Sequence, residues 1–332
     1  MKIADMHCDT ISLILEKRRE GRIYSLRENG GHVDLMRMRK SGYVLQNFAL
    51  FVDVGRCENP WEELCELYNC YSNELKKNAE LIAPVLCFDD IETNLMKNKM
   101  SSLLTVEEGA VCMGETKKLD KLYDMGVRMM TLTWNYPNVI GFPNIDYSNR
   151  KGTDDMYVPN GEKGLTELGR EIVEHMERLG IIVDVSHLSD AGFYDVLNCT
   201  KVPFVASHSN ARAVCRCARN LTDDMLRKLS ERGGCIGLNF YPMFLKDLTA
   251  GVSYNGGVDE IVDHAKHIVN CAGIDVLALG SDFDGFDYNA ELNGVQSTEL
   301  LWDALGKCGF SEGEIDKIFY KNLLRVYKDV LK

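Results

Sequence analysis

The chain begins Met1-Lys2-Ile3-Ala4-Asp5-Met6-His7-Cys8-Asp9-Thr10, and the reading of this stretch decides the fold. A short apolar run opens at Ile3 and Ala4 and ends in His7-Cys8-Asp9. Side chains alternate along a strand, so His7 and Asp9 project to the same side. An imidazole nitrogen and a carboxylate oxygen at one strand end suit a divalent ion such as zinc. Two ligands do not hold a metal, so other parts of the chain must supply the rest. Taken alone, His-x-Asp is a common pattern, and it describes equally well a strand-end histidine hydrogen-bonded to a nearby aspartate.

The form of the first run recurs along the chain. Eight short apolar, β-branched runs are separated by segments with helical spacing: Lys2–Met6, Tyr43–Phe51, Ser102–Val106, Arg128–Thr133, Ile181–Val185, Phe204–Ser207, Cys235–Phe240 and Val276–Gly280. Most lack strict alternation, as expected of strands buried on both faces of a parallel sheet. Between them, Leu165–Leu179 places Leu168, Ile172, Val173 and Met176 on one helical face and stops at Gly180. Thr222 is a good N-cap for the segment that ends at Gly233-Gly234, and Val258–Cys271 and Glu312–Leu331 read as further helices. Eight strands alternating with helices predict a (β/α)8 TIM barrel, one domain over residues 1–332. A doubly wound open sheet is the runner-up. It usually carries a glycine-rich phosphate loop after its first strand, and here that strand ends in His-Cys-Asp-Thr. The long loop Asn135–Lys163, rich in Asn, Gly, Asp and Tyr, falls after the fourth run and is expected over the barrel mouth.

Composition narrows the function classes. Lys+Arg 38 against Asp+Glu 50 leaves a net charge of −12, which argues against sequence-independent binding to nucleic acid. No run approaches the length of a membrane span. The start has no basic segment followed by an apolar one, so no secretion signal and a cytoplasmic location are expected. The 12 cysteines are scattered without a Cys-x-x-Cys pair and are expected to be reduced and mostly buried.

Position lifts the His-x-Asp pattern above chance. Active sites of such barrels lie at the C-terminal ends of the strands. There the runs end in His7-Cys8-Asp9, Glu107-Glu108, Ser186-His187, Ser207-His208-Ser209 and Ser281-Asp282-Phe283-Asp284. Three imidazoles and several carboxylates converging on one mouth are too many for one tetrahedral ion and suit two metals sharing a carboxylate. His175, His264 and His267 fall in helical segments and His32 in a loop, and these four read as structural or exposed.

These motifs resemble the membrane or renal dipeptidases and their bacterial relatives, the metal-dependent dipeptidase family M19. The matching stretches are DMHCDT, TVEEG, VDVSH, ASHSNARAVCRCARN and GSDFDG, in the family's order from residue 5 to 285. The resemblance implies a barrel of the metal-dependent hydrolase type that cleaves dipeptides, including those with a C-terminal D-residue. It implies two divalent ions, Zn2+ first among them, with His7 and Asp9 on one, His187 and His208 on the other, and Glu107 bridging. Arg219 would grip the substrate carboxylate and Asp282 would handle the proton. The chemistry is coherent: a water shared by two divalent ions loses a proton near neutral pH and attacks the peptide carbonyl. Asp282 can accept that proton and return it to the leaving amine, and Arg219 offers a planar fork that matches a carboxylate. Without the resemblance, Arg219 reads as a surface arginine near a helix start. The only partner expected is a small dipeptide, with no nucleic acid and no membrane; relatives often form homodimers, though no stretch here marks an interface.

Two departures stand out. The family commonly reads VEGG where this chain has Val106-Glu107-Glu108-Gly109; Glu107 is the expected bridge, with Glu108 pointing the other way. Many relatives have a histidine after the fourth strand that contacts the substrate's reacting oxygen, where this chain has Trp134-Asn135-Tyr136. Trp134 and Asn135 are therefore the expected substrate contacts there, with Tyr136 as a further polar candidate. Two other readings share the fold: a binuclear amidohydrolase acting on N-acyl amino acids or cyclic amides, and an inactive binding protein.

Overall fold

Parallel strands need long crossovers, and each apolar run here is followed by a segment long enough to return along the outside of a sheet. The computed structural model, which describes residues 1–149, 152–247, 257–287 and 289–332, shows that arrangement closed on itself. Eight strands form the barrel, named here in order around it: β1 Ile3–Asp5, β2 Tyr43–Phe51, β3 Met100–Glu107, β4 Val127–Thr131, β5 Ile182–Asp184, β6 Val205–Ala206, β7 Cys235–Leu238 and β8 Leu277–Leu279. All their pairings are parallel. The ring closes where β1 pairs with β8 through Asp5 and Leu279. The longest ladder joins β2 to β3 from Leu45↔Ser101 to Phe51↔Glu107.

The eight runs read from the sequence are these eight strands; several are trimmed by a residue or two, while β3 begins two residues before and ends one residue after Ser102–Val106 and β4 begins one residue before Arg128. One strand was not foreseen: Ile82–Pro84 pairs with the start of β3. It spans three residues and ends in a proline that cannot donate to a ladder, so it carries no periodic signal. Alternation decides the two faces of each strand. Ala4, Met6, Leu45, Leu103, Met129, Ile182, Val205, Cys235 and Ala278 form one cluster with Leu323, Val326 and Tyr327 of the last helix. The opposite faces join the main core with the surrounding helices.

Helix ends follow the capping signals. Thr166 accepts from Gly169 N at the start of Glu167–Leu179, and Thr222 does the same from Met225 N for Asp223–Glu231. The final helical segment is interrupted by a π-helical turn, Lys317–Lys321, between Glu312–Asp316 and Asn322–Val330. All 12 cysteines are free thiols. Among the described residues no helix is long and apolar enough to cross a membrane. The loop after β4 lies at the mouth, where Asn135 and Tyr147 line the main cleft.

Candidate metal centre

Two buried aspartates organise the strand ends. Asp5 ends β1, and its Oδ1 accepts from His7 N at 3.2 Å and Ser281 N at 2.9 Å. Its Oδ2 accepts from Ser281 Oγ at 2.5 Å. Asp184 does the same on the other side of the ring. Its Oδ1 takes Ser186 N at 2.9 Å and Ser207 N at 2.8 Å, and its Oδ2 takes Thr131 Oγ1 and Ser207 Oγ, both at 2.6 Å. Sequence reasoning missed both. The available signal was a lone acid at the end of a fully apolar strand, where an unpaired carboxylate would be costly.

The five expected ligands meet above these anchors. His7 Nε2 lies 3.3 Å from Asp9 Oδ2 and 3.4 Å from Glu107 Oε2. Glu107 Oε1 lies 3.0 Å from His187 Nε2 and 3.6 Å from His208 Nε2. The two carboxylate oxygens of Glu107 thus face different histidines. Asp282 Oδ1 stands 3.9 Å from His7 Nε2, and its Oδ2 accepts from Asn239 Nδ2 at 2.9 Å.

Their surroundings fit divalent metal binding. Asn135 Oδ1 lies 2.9 Å from His187 Nδ1, so that nitrogen donates and Nε2 keeps its lone pair. Ser207 gives its hydroxyl hydrogen to Asp184 and takes one from His208 Nδ1 at 2.8 Å, with the same consequence. The two Nε2 atoms then stand 2.9 Å apart with lone pairs inward, an arrangement that is repulsive without a shared cation. Asp9 Oδ1 is buried with no hydrogen-bond partner. A Cβ at position 285 would collide with carboxylate oxygens of Asp282 and Asp9, so Gly285 lets them approach.

Electrostatics point the same way. Burial raises the Glu107 carboxyl to about 6 and that of Asp282 to about 7. Burial, followed by the charges of Arg219 and His7, holds His187 and His208 well below the usual imidazole range. Burial also opposes the charged form of His7, but Glu107 and Asp9 outweigh it and hold that imidazole well above its usual range. Bound cations would allow the carboxylates to ionise together. His187, Asp282 and Asp284 adopt φ of 68°, 64° and 66°. Such strain in non-glycine residues costs about 1–3 kcal/mol each and clusters at functional sites.

The remaining predicted residues divide. Arg219 is not a surface residue. It is 3% exposed, donates from Nη1 to Ser209 Oγ at 3.3 Å and from Nη2 to His208 O at 3.2 Å, and has a buried Nε without a partner. Trp134 lines the cleft, 6.3 Å from the His187 ring. Asn135 lines it too, but its Oδ1 is engaged with His187. Tyr136 packs 6.0 Å from the Trp134 ring and 5.9 Å from the Tyr147 ring, and is not among the residues that line the cleft. Glu108 turns away from the centre with φ 100°. Its oxygens accept from Ala110 N at 2.8 Å, Trp134 N at 3.0 Å and Asn138 Nδ2 at 2.5 Å. The cleft over the centre measures about 620 Å³.

Of the other histidines, His264 is structural, accepting from Ala211 N at Nδ1 and donating to Leu245 O from Nε2. His175 and His267 pair with Asp120 and Asp223 on the outside. His32 lies closer to the site than its loop position suggested. Its backbone N donates to Asp284 Oδ1 at 2.6 Å and its Nδ1 accepts from Asp284 N at 2.9 Å, so it helps hold the loop after β8.

Comparison with known proteins agrees with this geometry. A family model described as membrane dipeptidase (peptidase family M19) matches residues 1–332. An uncharacterized dipeptidase of Schizosaccharomyces pombe is 30% identical over 98% of this chain and 80% of its own length. An uncharacterized protein of Klebsiella pneumoniae is 34% identical over 81% of this chain and 95% of its own. Among solved structures, the dipeptidase AC, a metallopeptidase of family M19, superposes with a TM-score of 0.88 at 26% identity, covering 100% of this chain and 99% of that one. A metallopeptidase from Rhodobacter sphaeroides, liganded with a phosphinate mimic of the dipeptide L-Ala-D-Ala, has a TM-score of 0.85 at 25% identity and covers 99% of each chain.

Proposed function

The chain belongs to the membrane dipeptidase family, peptidase family M19, whose members are metallopeptidases, and from that premise we propose that it is a di-zinc dipeptidase acting in the cytoplasm. His7 and Asp9 would hold one ion and His187 and His208 the other, with Glu107 shared. The observation that carries the reading is the split of Glu107, Oε1 3.0 Å from His187 Nε2 and Oε2 3.4 Å from His7 Nε2.

When bound, two such ions lower the pKa of a shared water toward neutrality and polarise a carbonyl. The chain's own groups do the rest. Asn239 occupies Asp282 Oδ2, which leaves Oδ1 facing the centre. At Oδ1 the Asp282 carboxylate can take a proton from the attacking water and release it to the leaving amine nitrogen. Arg219, held by Ser209 and the His208 carbonyl, offers a buried guanidinium to the substrate's terminal carboxylate. Asn135 and Ser207 orient the two imidazoles. The phosphinate complex of the Rhodobacter relative supports extending the substrate class to a C-terminal D-residue.

The test is metal content together with turnover of a panel of L,L- and L,D-dipeptides, N-acetyl amino acids and cyclic amides. Two zinc ions per chain and hydrolysis of dipeptides with a free carboxylate are expected. Turnover of only the N-acyl or cyclic substrates would move the assignment to another amidohydrolase. A loaded protein without any turnover would mark a binding protein.

A further inference from the structure

Aromatic rings line the cleft on two arcs, placed by the order of strands around the barrel. On one, Tyr241 and Phe244 follow β7 and Asp282 and Phe286 follow β8, and the Arg219 guanidinium, after β6, is buried 5.2 Å from the Phe244 ring. On the facing arc, Phe51 ends β2, and Trp134 and Tyr147 lie in the loop after β4. Glu107, at the end of β3, stands between Phe51 and Trp134 in strand order.

That facing arc is an aromatic wall. The Trp134 ring packs edge-on against Phe51 at 4.8 Å and against Tyr147 at 5.3 Å. Phe51, Trp134 and Tyr147 all line the cleft, and Tyr147 remains 38% exposed. The wall is held firmly from behind. Glu108 Oε2 accepts from Trp134 N at 3.0 Å, and Tyr147 N donates to Asn135 O at 2.8 Å. Such an apolar surface, half open to water beside a metal centre, offers burial to a substrate side chain.

We infer that the Phe51–Trp134–Tyr147 wall is the side-chain pocket for the dipeptide's N-terminal residue and selects a large apolar, preferably aromatic, one. The inference rests on the dipeptidase reading. With the terminal carboxylate at Arg219 and the scissile carbonyl beside Glu107, the N-terminal residue points away from β6–β8 and toward the wall. The C-terminal side chain lies on the Arg219 side and does not reach it.

The experiment compares kcat/KM for Phe-Ala, Leu-Ala, Ala-Ala and Ala-Phe in the zinc-loaded wild type, Trp134→Ala and Tyr147→Ala. Inhibition constants of phosphinate mimics of Phe-Ala and Ala-Ala give a reading independent of turnover. The wild type should prefer Phe-Ala to Ala-Ala by about ten- to thirtyfold, the scale of one aromatic contact in an apolar pocket. Trp134→Ala should bring that ratio below about threefold, in turnover and in inhibition alike. Tyr147→Ala changes a partly exposed loop residue and keeps the test valid if the tryptophan variant misfolds; it should lower the same ratio in part. The Ala-Phe to Ala-Ala ratio should not move in either variant. A wild-type ratio near one, or a ratio that survives in the folded variants, overturns the inference while leaving the dipeptidase reading intact. Hydrolysis of no dipeptide at all by the zinc-loaded protein overturns both.

Discussion

Glu107 and Glu108 are adjacent carboxylates with opposite assignments, and exchanging each for glutamine separates them. Glu107→Gln keeps the shape but leaves one oxygen and one amide nitrogen where two charged oxygens faced His187 at 3.0 Å and His7 at 3.4 Å. One ion would lose a ligand and the other would lose its share of the charge. A unit charge pair about 4 Å apart is worth about 4 kcal/mol at an effective dielectric of about 20. Part of that is returned, because a carboxyl already raised to about 6 by burial no longer has to be kept ionised. The expected net loss in metal affinity is at least about 100-fold, or about 2.7 kcal/mol. Glu108→Gln should leave both ions in place, because its oxygens are given to Ala110 N, Trp134 N and Asn138 Nδ2. Its cost should appear in stability, about 1–3 kcal/mol for donors left without an acceptor. The assay is dialysis against a graded zinc buffer, elemental analysis and parallel chemical denaturation. Two tightly held ions in Glu107→Gln, or loss of metal in Glu108→Gln with the fold intact, would refute the assignment of the shared carboxylate.

The same geometry carries three further expectations. Arg219→Lys keeps the charge but loses the fork, so kcat/KM for dipeptides with a free C-terminus should fall by about 2–3 kcal/mol; amidated dipeptides should be poor substrates throughout and change little, and equal losses on both would make Arg219 structural. In metal-free protein, Asp282 sits at about 7 when folded against the ordinary 3.8, so the unfolded chain gives up that proton first and wild-type stability falls as pH rises through this window. Asp282→Asn removes the penalty: the metal-free variant should gain on wild type at pH 8, with the gap narrowing by about 2–3 kcal/mol on going to pH 5, and a gap that does not vary with pH would refute the burial argument. At φ 100° Glu108→Gly relieves backbone strain while Glu108→Ala does not, so denaturation should rank wild type above glycine and glycine above alanine, the last two about 1–2 kcal/mol apart.

Much of this protein was legible in its sequence. Fully buried parallel strands read as continuous apolar runs, and strands in a closed parallel ring expose their chemistry at one end. The runs therefore located the barrel, and the polar residues just beyond them marked the strand ends His7-Cys8-Asp9, Glu107-Glu108, Ser186-His187, Ser207-His208-Ser209 and Ser281-Asp282-Phe283-Asp284. Marking those ends needs only local pattern and strand direction; the choice of Glu107 and Asp282 within them came from the resemblance to family M19. Tertiary structure decided what depends on packing between distant segments. The orientation of Glu107 over Glu108 rests on a left-handed backbone at Glu108 and on donors from the Trp134–Asn138 loop. Arg219 has the sequence setting of a surface arginine and becomes buried because Ser209, the His208 carbonyl and Phe244 close around it. The roles of Asp5 and Asp184 exist only once neighbouring strands bring Ser281 and Ser207 beside them. Phe51, Trp134 and Tyr147 share no pattern in one dimension and form a surface only because β2 and the loop after β4 flank the same strand. Hydrogen bonds and ring contacts act over a few ångströms, and only the folded chain brings residues tens of positions apart within that range.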